Sequence, residues 1–336
     1  MNAERFAPPR WLRNPHLQSV LASSALRRWL GAGARAAFER GATPVLLDCG
    51  GGVRLSGLHT PQSALPAPRG LAVLLHGWEG SVASSYLLRT GARLSAAGFD
   101  VFRLNFRDHG DSHHLNAELF HSNRLDEVVA AVGCIAARFP ARPLAVAGFS
   151  LGGNFALRVA LRAPAAAIPL AHAVAVCPVI SPERGLRALE AAPWFYQEYF
   201  LRKWRGSLLR KRALFPDRYD FRPADLKRNL RELTRWLVER HTDFGTLERY
   251  LDGYSIAGDR LATLAVPASI LTSADDPIIP VDDFRALALP PHARLDIAPF
   301  GGHCGFLLGP NLESWAEHYV LARLEEAVVA ASGRAG

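Results

Sequence analysis

The chain has 336 residues, 49% hydrophobic and 21% charged, a balance that fits a soluble globular protein with a substantial core. No apolar run nears the length of a membrane span, because Pro164, Pro169, His172 and Pro178 interrupt the most apolar region. The net charge of +8 is concentrated between Arg184 and Arg249, where 16 basic side chains face 9 acidic ones, and elsewhere arginine bias accounts for the balance better than nucleic-acid binding does.

In chain order, the N-terminal MNAERFAPPRWLRNP lacks the basic-then-apolar order of a secretory signal, so the expected location is cytoplasmic. An amphipathic helix is expected over 16–30, then a hairpin of strands at 45–49 and 53–59 around Gly50, Gly51 and Gly52. Buried strands at 71–76, 100–106, 144–147 and 173–179 alternate with helices at 84–97, 124–139 and after Ser150. Strands at 268–273 and 295–299 flank a short helix from Val281, and a last helix spans 311–329. This alternation predicts an α/β fold, a mostly parallel sheet with helices on both faces. The region 181–262, rich in Arg, Trp, Phe and Tyr, interrupts it as a helical cap. The expected units are therefore an N-terminal helical extension (1–40), a core (41–180 with 263–336) and the cap (181–262).

The stretch PLAVAGFSLGGNFAL carries the sharpest chemical signal. An apolar strand leads into Gly148-Phe149-Ser150-Leu151-Gly152, and a helix follows. G-x-S-x-G at a strand-to-helix turn places the serine in a strained backbone with its hydroxyl exposed at the carboxyl end of the sheet. Such a serine needs a base oriented by a carboxylate, and the chain order for this arrangement is Ser, acid, His. Downstream, SILTSADDPIIP offers Asp276, with Asp275 as the alternative, and APFGGHCGF offers His303. A developing oxyanion would be met by the backbone N–H of Leu151 and by that of Trp78 in LAVLLHGWEGS.

Two other features compete for attention. NFRDHGDSHHLN gathers Asp108, His109, Asp111, His113 and His114, a possible metal set, but a serine elbow needs no metal and the run reads as a polar loop. Cys49, Cys134, Cys177 and Cys304 form no CxxC pair and read as free thiols, with Cys304 beside the expected base.

Together HGWEGS, NFRDHG, GFSLGGN, ADDPIIP, GGHCGF and the N-terminal PRWLRNPHLQSVLAS resemble the α/β-hydrolases, more narrowly the AB hydrolase 4 family. That resemblance implies the α/β-hydrolase fold, hydrolysis of small-molecule carboxylic esters, no cofactor and no metal, with Ser150, Asp276 and His303 in the charge-relay positions. Thioester hydrolysis or acyl transfer would use the same acyl-enzyme. From a different class, the basic cap could attach to an anionic membrane surface without catalysis.

Overall fold

A computed structural model of the chain describes residues 2–333. Helices α1 (Pro15–Ala22), α2 (Ala25–Leu30) and α3 (Ala32–Arg40) precede the hairpin β1 (Thr43–Asp48) and β2 (Arg54–Thr60). Next come β3 (Gly70–Leu75), α4 (Ser85–Ala96), β4 (Phe99–Asn105), α5 (Leu125–Arg138), β5 (Leu144–Phe149), α6 (Leu151–Arg162) and β6 (Leu170–Val176). Helices α7 (Pro182–Ala191), α8 (Trp194–Leu214), α9 (Leu230–His241) and α10 (Leu247–Gly253) separate β6 from β7 (Ala268–Ser273). They are followed by α11 (Val281–Arg285), β8 (Ala293–Ala298) and α12 (Trp315–Ser332).

The strands form one sheet in the order β1-β2-β4-β3-β5-β6-β7-β8. The hairpin enters it antiparallel, and β4, β3, β5, β6, β7 and β8 run parallel. Strands β3 and β5 are buried along their whole length, which is why GLAVLL and LAVAGF show no polar alternation. Helices α5 and α6 cover one face with Val132, Ile135, Phe155 and Leu157, while α4 and α12 cover the other with Leu87, Leu94, Tyr319 and Leu324. Each such buried side chain contributes roughly 1.5–3 kcal/mol relative to exposure. Helices α7 to α10 share a separate apolar cluster that includes Leu201, Leu208, Phe221 and Leu233.

Several boundaries differ from the sequence expectation for identifiable reasons. The single helix over 16–30 is two, because the Ser24 hydroxyl accepts the N–H of Arg27 and starts a new helix. That break turns Arg27 inward, where it donates to the carbonyls of Ala22 and Leu312 and pairs with Glu317 at 2.5 Å. The strand expected over 173–179 ends at Val176, since Cys177 adopts φ +45° and leaves the sheet. The last helix starts at Trp315 rather than 311, capped by Ser314. No helix among the described residues is long and apolar enough to cross a membrane.

Candidate active site

Between β5 and α6, Ser150 takes φ 54° and ψ −120°, a left-handed conformation costly for any residue but glycine. The flanking glycines make that turn possible. A Cβ at Gly148 would lie 2.0 Å from the Gly152 carbonyl oxygen, and one at Gly152 would lie 2.4 Å from those of His76 and Leu75. The Ser150 N–H donates to Val176 O at 2.9 Å, which anchors the turn on β6. The site occupies the topological switch, since β4 lies on one side of β3 and β5 on the other.

The other two residues of the expected relay converge on Ser150. His303 lies in the loop after β8, with its Nε2 2.9 Å from Ser150 Oγ and its Nδ1 2.8 Å from Asp276 Oδ2. Asp276 is itself fixed, because its Oδ1 accepts the N–H groups of Ile278 and Ile279 at 2.8 and 3.0 Å. Asp275 points elsewhere: its Oδ1 accepts the Gly302 N–H at 2.9 Å, and the Ser273 hydroxyl donates to Gly302 O at 2.8 Å. The acid beside the one facing the imidazole thus secures the histidine loop. Burial would lower the His303 pKa, but the Asp276 carboxylate and the Cys304 thiol beside it raise it well above the usual histidine value. Burial would likewise raise the Cys304 thiol, yet the hydrogen bond with Cys177 and the imidazole bring it down to about 6.

Among the described residues no protein group accepts the N–H of Trp78 or Leu151, so both are available to a ligand. The loop that carries Trp78 abuts the serine, since a Cβ at Gly77 would stand 3.3 Å from Ser150 Cβ. Among the side chains that hold that loop are Tyr86, His76 and His109, the first two outside the residues singled out in the sequence. Tyr86 Oη accepts the Gly77 N–H at 2.8 Å. His76 donates from Nδ1 to Gly77 O at 2.8 Å and accepts the Phe106 N–H at Nε2, at 3.2 Å. His109 donates from Nδ1 to Arg107 O at 2.7 Å and accepts the Glu79 N–H at 3.2 Å. Those roles require neutral imidazoles, and burial indeed lowers His76 to about 4 and His109 well below its usual value. The sequence signal was the pair HG after β3 and DHG after β4, two strands that are neighbours in the sheet.

Asp108, Asp111 and His113 of the same run meet α8, whereas His114 is exposed. Asp108 accepts the Phe120 N–H at 2.8 Å and pairs with Lys211 of α8 at 2.6 Å, where the lysine is fully buried. His113 Nε2 lies 2.8 Å from Ser207 Oγ, and Asp111 pairs with Arg210 at 3.0 Å. Among the described residues, the one grouping of metal-ligating atoms is Cys177, His303 and Cys304, all within 4.8 Å of one another.

A cavity of about 570 Å³ opens on Ser150 and His303. Trp78, Tyr86 and Ile279 line it from the core, and Leu186, Phe195 and Phe200 from the helices above. Trp78 and Phe200 stack with ring centroids 5.2 Å apart, joining the two walls. A concave space of this size with a mostly apolar wall is of the kind that holds a small-molecule ligand.

The family model for the alpha/beta hydrolase fold matches residues 72–310. The chain is similar to YheT of Escherichia coli, which carries an esterase name, at 26% identity over 326 residues, covering 94% of this chain and 92% of that one. It is also 32% identical over 275 residues to the pimeloyl-(acyl-carrier protein) methyl ester esterase of Stenotrophomonas maltophilia, covering 74% of this chain and 92% of that one. A solved Pyrococcus furiosus esterase shares the fold with a TM-score of 0.55 at 16% identity, covering 85% of this chain and 89% of that one. The matched core, with its parallel sheet and strained serine turn, places the chain in the α/β-hydrolase family.

Proposed function

We propose that the protein is a serine hydrolase of carboxylic esters with an apolar acyl chain of medium length. The hydrogen-bonded line from Asp276 through His303 to Ser150, opening into an apolar cavity, carries this reading. Ser150 Oγ attacks the ester carbonyl while His303 Nε2 takes its proton, and Asp276 holds the imidazole in the tautomer that leaves Nε2 free to accept. The carbonyl oxygen, now negative, receives the N–H groups of Trp78 and Leu151, each worth on the order of a hundredfold or more in rate. Collapse expels the alcohol, protonated by His303, and leaves an acyl-Ser150. Water, deprotonated by the same imidazole, then releases the acid.

Helices α7 to α10 act as the cap over the acyl group in this reading. Their positive charge is partly spent within the fold: Lys211 is buried on Asp108, Arg231 pairs with Glu183 and Glu190, and Arg222 and Arg228 pair with Asp225. That favours a structural use of the basic residues over attachment to an anionic surface. Hydrolysis of p-nitrophenyl esters from acetate to palmitate, wild type beside Ser150→Ala, tests the proposal. A serine-dependent optimum at intermediate chain length is expected; Ser150→Ala of full activity and intact fold overturns it.

A further inference from the structure

The N-terminal segment PHLQS opens α1, far from the relay in sequence, yet it lies directly against the histidine loop. The Ser19 hydroxyl accepts the backbone N–H of His303 at 2.8 Å and donates to Pro15 O at 2.7 Å. Gln18, fully buried, brackets the far side of the same loop: Oε1 accepts the Leu307 N–H at 2.7 Å and Nε2 donates to Leu12 O at 2.8 Å. The contact is close enough to dictate glycines in the loop. A Cβ at Gly302 would lie 2.3 Å from Pro15 O, and one at Gly305 would lie 2.9 Å from Gln18 O. The loop needs such support, because Gly301, Gly302, Cys304 and Phe306 all have positive φ, a backbone that does not hold itself in place. One turn before Ser19, α1 also meets α8, where His16 Nδ1 lies 3.2 Å from Tyr196 Oη.

We infer that Ser19 and Gln18 are positioning residues for His303, and that α1 is a working part of the active site. Asp275 and Ser273 hold Gly302 from the core side, whereas the N–H of His303 itself is held by Ser19. Without that hydroxyl, the imidazole keeps Asp276 but loses the restraint that aims Nε2 at Ser150. A misplacement of about 1 Å there costs on the order of a hundredfold in rate. The inference rests on the serine-hydrolase reading, and its test separates the two.

The experiment is labelling of Ser150 by a fluorophosphonate, which reports nucleophile activation with no assumption about the natural ester, across pH and probe concentration. The proteins are wild type, Ser19→Ala, Gln18→Met and Val320→Ala, the last a cavity control in α12, a helix that gives no residue to the cavity at Ser150. Ser19→Ala is expected to lower the limiting labelling rate at alkaline pH about ten- to a hundredfold, with half-saturation changed less than about twofold. Val320→Ala is expected to lower the melting temperature while labelling at the wild-type rate. Gln18→Met, close in length but without the amide, should slow labelling in the same direction as Ser19→Ala. Wild-type labelling with an unchanged rate and pH profile in a folded Ser19→Ala overturns the positioning role alone. A folded wild type that takes no label overturns the serine-hydrolase reading and the inference with it.

Discussion

Replacing Asp276 by Asn probes the relay with the least disturbance of shape. In the wild type, Asp276 Oδ1 accepts two backbone N–H groups and Oδ2 faces His303 Nδ1 at 2.8 Å. In the variant the amide oxygen must stay on the two N–H groups, so the amide nitrogen takes the position of Oδ2. A donor then faces Nδ1, the imidazole turns to the tautomer that carries its proton on Nε2, and Nε2 no longer accepts from Ser150. For a triad acid that change lowers kcat about 10⁴-fold, roughly 5.5 kcal/mol of transition-state stabilisation. The assay is kcat for a p-nitrophenyl ester as a function of pH, with thermal melting beside it. Since Asp276 raises the His303 pKa, activity in the wild type is lost as pH falls through that raised value, and in Asp276→Asn the acid limb moves to lower pH. The same pair stabilises the fold while His303 is protonated. The stability lost in Asp276→Asn is therefore fully present below the usual value of 6.5 and disappears as pH rises through the folded pKa. A variant within about tenfold of wild-type kcat, with an unmoved pH profile, would refute the reasoning.

Three further outcomes follow from the geometry. Asp275→Asn keeps an oxygen for the Gly302 N–H, so it should stay within about tenfold of wild-type kcat, whereas Asp275→Ala should lower stability by about 1–3 kcal/mol in thermal or urea unfolding. Lys211→Met strands the buried Asp108 carboxylate beneath α8, and a loss of about 3–5 kcal/mol is expected in the same measurement. Cys304, lowered to about 6, should be alkylated by iodoacetamide at neutral pH well before Cys49, whose thiol burial pushes up to about 12, as peptide mass mapping would show.

The elements most legible in the sequence were those whose reasons are local. The turn at Ser150 could be read because strand, glycines and helix all lie within fifteen residues, and the steric need for each glycine acts over that same span. The choice between Asp275 and Asp276 was less secure, since adjacent side chains differ only in direction, and direction is set by which backbone N–H groups each carboxylate meets. Least legible was the support of the two loops that flank the serine. His76 and His109 act across neighbouring strands, and Ser19 reaches His303 over a separation of 284 residues. No periodicity encodes such pairings; they appear only once the sheet order brings the segments together. The break at Ser24 was a capping event inside an otherwise continuous apolar pattern, and there a single hydroxyl outweighed the periodicity.

Helix α8 is fastened unequally along its length. At 21 residues it extends about 32 Å, and its later turns are riveted to the core by Lys211 on Asp108 and Ser207 against His113. Its first turns are tied more lightly, by Phe200 lying on Trp78, Phe195 against His16 and Tyr196 Oη at 3.2 Å from His16 Nδ1, while Trp194 stands 76% exposed. On the proposed reading of α7 to α10 as a roof, the buried Lys211–Asp108 pair makes the later turns the anchored end, and the lightly tied first turns are the end expected to yield to an entering acyl chain.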